Sequence, residues 1–129
     1  MKKITNEWLV SAESDLHLIR MILTQEALTH LSAFHSQQSI EKTFKALVEE
    51  FDLGFIKSHS LETLFNKVKD LIFVEIDTDM LTLLDQLYID ARYPGELGLL
   101  PNGKPSIAEA KKFYFLATQL HTAAENACR

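Results

Sequence analysis

Arginine is the side chain best shaped to grip a phosphate, and Arg92 stands in Arg92–Tyr93–Pro94, directly before a run of turn residues. Its planar fork donates two parallel hydrogen bonds to phosphate or carboxylate oxygens. Tyr93 beside it offers a ring that stacks on a base or covers a groove. A second chemical group is Gln38, Glu41, Lys42 and Lys45, whose spacings of three and four cluster them on one helix face. Phe34 heads that face. Polar residues in the middle of a long helix need partners, and Glu41 with Arg92 is a candidate half-buried ion pair. His59 is the third feature, a proton carrier if it stands near the Arg92 groove. Each has a plainer reading. Arg92 complements a helix dipole in a last turn, and Tyr93–Pro94 stops the helix. Glu41–Lys45 is an i,i+4 pair on a solvated face or internal wiring of the fold. His59 caps or packs locally.

Other chemistries lack their residues. His17, His30, His35 and His121 show no ligand spacing with cysteine or carboxylates, so no metal site is expected. Gly95, Gly98 and Gly103 form neither Gly-rich phosphate pattern, and no cofactor is expected. The single cysteine, Cys128, allows no intrachain disulfide, in keeping with a reducing cytoplasm. The opening MKKITNEWLVSAESD turns polar before any apolar run forms, unlike a secretory signal. No stretch approaches the roughly 20 apolar residues of a membrane span. A net charge of −5 argues against a broad, non-specific nucleic-acid binder but allows a local basic groove.

The elements that must position these residues are helical. The chain has 129 residues, 47% hydrophobic and 24% charged, which suits one domain over 1–129 with a real core. Apolar spacing of three and four dominates, without sustained alternation. The first helix is expected over about 6–25, with Trp8, Ala12, Leu16, Ile19 and Leu23 on one face and Thr5 or Asn6 as its cap. The second is expected over about 28–53, with Ala33, Ile40, Phe44, Leu47 and Phe51 as its stripe, ending before Gly54. The third covers about 60–74, capped by Ser58 or Ser60, with Leu61, Leu64, Phe65, Val68, Leu71 and Ile72 in phase. The fourth covers about 78–91, capped by Asp77 or Thr78, with Met80, Leu84, Leu87 and Ala91 inward and Leu81 and Tyr88 alongside. Ser106 and Glu109 have capping-box spacing and open the fifth, whose stripe is Ala110, Phe113, Ala117, Leu120 and Ala124. All 3 prolines, and all but one of the 4 glycines, fall between Pro94 and Pro105, the one long irregular segment. Its apolar tip, Leu97, Leu99 and Leu100, either folds onto the bundle end or meets a partner. Short connections elsewhere predict an all-α, up-and-down bundle of about five helices.

Four blocks stand in order along these helices: WLVSAESDL (8–16), FHSQQSIEKTFKAL (34–47), SHSLETL (58–64) and ARYPG (91–95). In this the chain resembles the HEPN domain, from Trp8 through the fifth helix. The resemblance implies a helical bundle that commonly dimerises. Many HEPN proteins are encoded beside a minimal nucleotidyltransferase, as partners or in toxin–antitoxin pairs; others are metal-independent ribonucleases. The nuclease branch carries an arginine followed four to six residues later by a histidine. Here Glu96, Leu97 and Gly98 hold those positions after Arg92, and Thr24, Gln25 and Glu26 hold them after Arg20. The resemblance therefore implies first a non-catalytic protein that binds a nucleotide or a nucleotide-bearing partner. Its groove would hold Gln38, Glu41, Lys45, His59, Arg92 and Tyr93, and its partners would be a second copy and a nucleotidyltransferase. The alternative it implies is a ribonuclease using Arg92 with a displaced histidine such as His59.

Overall fold

The computed structural model describes residues 1–92, 95, 100 and 103–129. Its helices are α1 (Lys3–Ile22), α2 (Thr29–Glu50), α3 (Leu61–Val68), α4 (Thr78–Arg92) and α5 (Ile107–Cys128). Single 3-10 turns lie at Glu26–Leu28 and Lys69–Leu71, and there is no strand among the described residues. The expected five-helix bundle is present.

α2 is the central helix, packed on all four others and most extensively on α1 and α5. Its stripe explains this, since Ile40, Phe44 and Leu47 are fully buried and Ala33 nearly so. Phe51, assigned to the stripe from its spacing, is instead exposed, because α2 already ends at Glu50. Asp52 (φ 52°) and Gly54 (φ 87°) then reverse the chain in the left-handed region, where glycine has no Cβ penalty.

α1 starts at Lys3, earlier than the expected cap positions. Thr5 is not a cap. It is buried and donates its hydroxyl to Glu50 Oε1 at 2.9 Å, and the Lys2 amide donates to the same oxygen at 2.9 Å. The Lys2 ammonium donates to the Glu49 carbonyl at 2.8 Å and pairs with Asp52. Contacts with the far end of α2 therefore extend α1 past its local cap signals. The other starts follow the sequence more closely. The Ser60 hydroxyl accepts from the Thr63 amide at 3.4 Å, and Ser58 accepts from the Ser60 amide at 3.0 Å. Asp77 accepts from the Asp79 amide at 3.0 Å. Ser106 and Glu109 close both halves of a capping box at 3.0 Å. α3 stops at Val68 rather than continuing to Val74; Ile72 is buried, and Phe73 points outward at 97% exposure.

Side-chain pairs give the directions. Thr5 meets Glu50 and Asp15 meets Lys42, so α1 and α2 are antiparallel. Phe34 meets Tyr88 and Gln37 meets Asp85, so α4 also runs against α2. His121 Nε2 donates to the Leu9 carbonyl and Tyr114 meets Arg20, so α5 runs against α1. α1 and α4 flank α2 without substantial contact with each other. The face of α2 bearing Gln38, Glu41, Lys42 and Lys45 lies between them, with Lys42 reaching Asp15 of α1 and Phe34 at its head stacking on Tyr88 of α4.

Candidate functional site

Two carboxylates organise the groove, and each bridges one lysine and one histidine. Asp15 of α1 is buried, and its oxygens take His35 Nδ1 at 2.9 Å and Lys42 Nζ at 2.9 Å. Glu41 of α2 is nearly buried, and its Oε2 takes Lys45 Nζ at 3.0 Å and His59 Nδ1 at 3.3 Å. With Nδ1 occupied by a carboxylate, each imidazole presents Nε2 as its remaining donor or acceptor, the arrangement that fixes a tautomer. His35 is largely covered, whereas the His59 side chain is 75% exposed.

The expected Glu41–Arg92 pair does not form. Glu41 is held by Lys45 one turn along its own helix, by His59, and by the Gln37 amide at 3.3 Å. Arg92 sits at the other end of the groove. Its guanidinium lies over the Tyr88 ring, 5.2 Å from the centroid, and donates to the Tyr88 hydroxyl. Tyr88 in turn stacks on Phe34 with centroids 5.2 Å apart and an 18° interplanar angle. The anchors of Arg92 and His59, Phe34 and Glu41, are seven residues apart on α2, about 10 Å along its axis. Gln38, Glu41, Lys45 and His59 are thus one linked set, with the Gln38 amide on Gln37 Oε1 at 2.7 Å. Arg92 belongs to a separate aromatic platform. Tyr93, and the loop residues Leu97 and Leu99, lie outside the described residues.

Residues 5–127 match the HEPN domain family. The chain is a HEPN-domain protein. Its bundle is also similar to the crystal structure of an archaeal HEPN homologue, at 22% identity over 100% of both chains and a TM-score of 0.67. That likeness speaks for the fold alone. No curated protein matches the sequence. No helix among the described residues of this HEPN protein is long and apolar enough to cross a membrane.

The HEPN groove also contains residues that spacing did not mark. Gln37 is 1% exposed, a fully buried amide between Glu41 and Asp85. Asp85, from α4, accepts the Leu61 amide at 2.9 Å and so caps α3 from another helix. Burial raises the Asp85 carboxyl above its ordinary value of 3.8, with the Glu41 charge adding to the rise; Leu61, Gln37 and Ser60 oppose it by hydrogen bonding. A carboxyl raised in the folded state contributes most below pH 3.8, and that contribution declines as pH rises through the folded value. Asp85→Asn is therefore expected to match or exceed wild-type stability at neutral pH, with its advantage developing above pH 3.8. Asp85→Ala strands the Leu61 N–H and is expected to cost about 1–3 kcal/mol. Urea midpoints of the three proteins from acid to neutral pH check both, and an Asp85→Asn protein weaker than wild type at neutral pH would show that the charge stabilises α3.

Proposed function

We propose that this HEPN protein is non-catalytic and binds a nucleotide, or a nucleotide-bearing partner, in the groove over α2. In this reading it works in the cytoplasm as a homodimer alongside a minimal nucleotidyltransferase in a two-component, toxin–antitoxin-like system. One observation carries the binding reading: the Arg92 guanidinium is held at the groove end by the ring and hydroxyl of Tyr88. A planar fork fixed in place loses little entropy on gripping phosphate. Gln38, Glu41, Lys45 and His59 line its continuation, and Tyr93 is a candidate ligand contact by its place in the sequence. Thermal melts with mono-, di- and trinucleotides test the reading. A nucleotide-dependent rise in midpoint is expected, and no shift with any of them overturns it.

The ribonuclease reading draws support from His35 and His59, each with Nδ1 set by a carboxylate. Against it stands the stretch after Arg92, Tyr93–Pro94–Gly95–Glu96–Leu97–Gly98, which holds no histidine. Loss of a general acid/base lowers rates by about 10²–10⁴-fold. Purified protein is expected to leave single-stranded RNA intact in the absence of metal. Metal-free cleavage that disappears in Arg92→Ala would reverse the ranking. Light scattering is expected to give the mass of two chains, and a monomeric mass removes the dimer from the proposal.

A further inference from the structure

At the opposite end of the groove from Arg92 lies a cavity that the Arg92 chemistry leaves unused. It sits where α1, the C-terminal half of α2, and the segment leading into α3 meet. Its volume is about 290 Å3, close to the lower bound of roughly 300 Å3 for small-molecule sites. Trp8 and Phe55 both contribute aromatic surface, and Ile56, in the segment leading into α3, adds an apolar wall. Phe55 is 92% exposed, an unusual place for a phenylalanine, and it follows directly on the left-handed Gly54 that sets its position. The polar lining is Lys45, Lys57 and His59 with one carboxylate, Glu49; Lys45 and His59 are held by Glu41, which leaves Lys57 as the cation at the mouth. Lys45 Nζ lies 5.6 Å from the Trp8 ring centroid while paired to Glu41. Lys57 makes no ion pair among the described residues and is exposed.

We propose that this cavity is a nucleobase site, with the base stacked against Trp8 and Phe55 and its phosphate on Lys57 and His59. An aromatic, apolar interior under a cationic rim selects a planar anion over a peptide side chain, which brings no phosphate for the rim. The volume accommodates a base and part of a sugar, leaving the phosphate at the mouth. The proposal rests on the nucleotide-binding reading and extends it. Phe34, beneath the Arg92 platform, and Lys45, beside Trp8, are eleven residues apart on α2, about 16 Å along the axis. A mononucleotide does not span that distance, so a ligand engaging both ends is an oligonucleotide.

Trp8 is the one tryptophan of the chain, so its fluorescence reports this cavity directly. Titrations with AMP, adenosine, inorganic phosphate and the trinucleotide ApApA are read by Trp8 emission, with ApApA binding also followed by equilibrium dialysis. AMP is expected to quench Trp8, adenosine more weakly, and phosphate not at all. Phe55→Ala is expected to weaken AMP about tenfold, and Lys57→Glu to weaken AMP but not adenosine. Arg92→Ala should weaken ApApA. No AMP quench, or a quench untouched by Phe55→Ala, overturns the base site even if dialysis shows Arg92-dependent ApApA binding. An AMP quench with ApApA indifferent to Arg92 upholds the base site and rejects the Arg92 reading. Should Phe55→Ala convert a dimer to a monomer, the ring is a subunit contact and the proposal fails.

Discussion

Arg92→Ala is expected to weaken trinucleotide binding about 10–100-fold while costing about 1 kcal/mol of stability or less. The binding loss follows from a charge-assisted hydrogen bond to phosphate, worth about 1.5–3 kcal/mol. The small stability cost follows from position: Arg92 is exposed, and truncations at the surface usually change stability little. Had Arg92 paired with Glu41, its removal would have stranded a covered carboxylate and cost about 3–5 kcal/mol. Because Lys45 and His59 hold Glu41 instead, the two roles separate. Arg92→Lys is the sharper variant. It keeps the charge and loses the fork, so it should recover only part of the affinity. Isothermal titration with ApApA, paired with urea melts, reads both quantities. Full binding by the lysine variant would mean that charge alone matters. A loss of several kcal/mol in Arg92→Ala would make the residue a structural one.

Phe44→Ala is expected to cost about 3–5 kcal/mol, a large share of the roughly 5–15 kcal/mol that holds such a domain folded. Phe44 is fully buried on the central helix, and its ring centroid lies 5.9 Å from that of Phe65 on α3. Truncation therefore opens a void where α2 and α3 meet, beneath the polar groove. Phe55→Ala, at a ring almost wholly in solvent, is the matched control and should change stability by about 0.5 kcal/mol or less. Urea midpoints with unchanged denaturant slopes would establish the contrast. A drop below about 1 kcal/mol for Phe44→Ala would show that the core collapses to fill the space.

The bundle was legible because helical spacing and caps are local. Ser60 and the Ser106–Glu109 box stop and start the chain within four residues, and both stand where their spacing placed them. Errors arose where distant residues act. Thr5 has the type of a cap, but Glu50, 45 positions on, recruits it and lengthens α1. The Glu41–Arg92 pairing failed because Lys45, one turn away on the same helix, is a nearer partner. Gln38, Glu41 and Lys45 share one face of α2, and His59 joins them through Glu41. Arg92 lies apart from that set. Neither Gln37 nor Asp15 stands in a motif, although a helical wheel of α2 puts Gln37 between Phe44 and Glu41. Asp85 carried no such signal; only the docking of α4 brings it to the start of α3.

That cross-helix cap has a bearing on motion. α3 is a helix of only 8 residues, shorter than the roughly 12–15 at which isolated helices become even marginal. Its first amide is satisfied by a carboxylate 24 positions later in the chain, and Thr82 reaches Glu62 across the same seam at 3.4 Å. When α4 lifts away, α3 loses its end group and part of its packing together, though α2 still carries most of it. The two helices are therefore expected to open as one cooperative unit, their amides exchanging with solvent at a common free energy below that of α2. Such opening would widen the groove at the Asp85 side, whereas α1 is clasped to the end of α2 through Lys2 and Thr5.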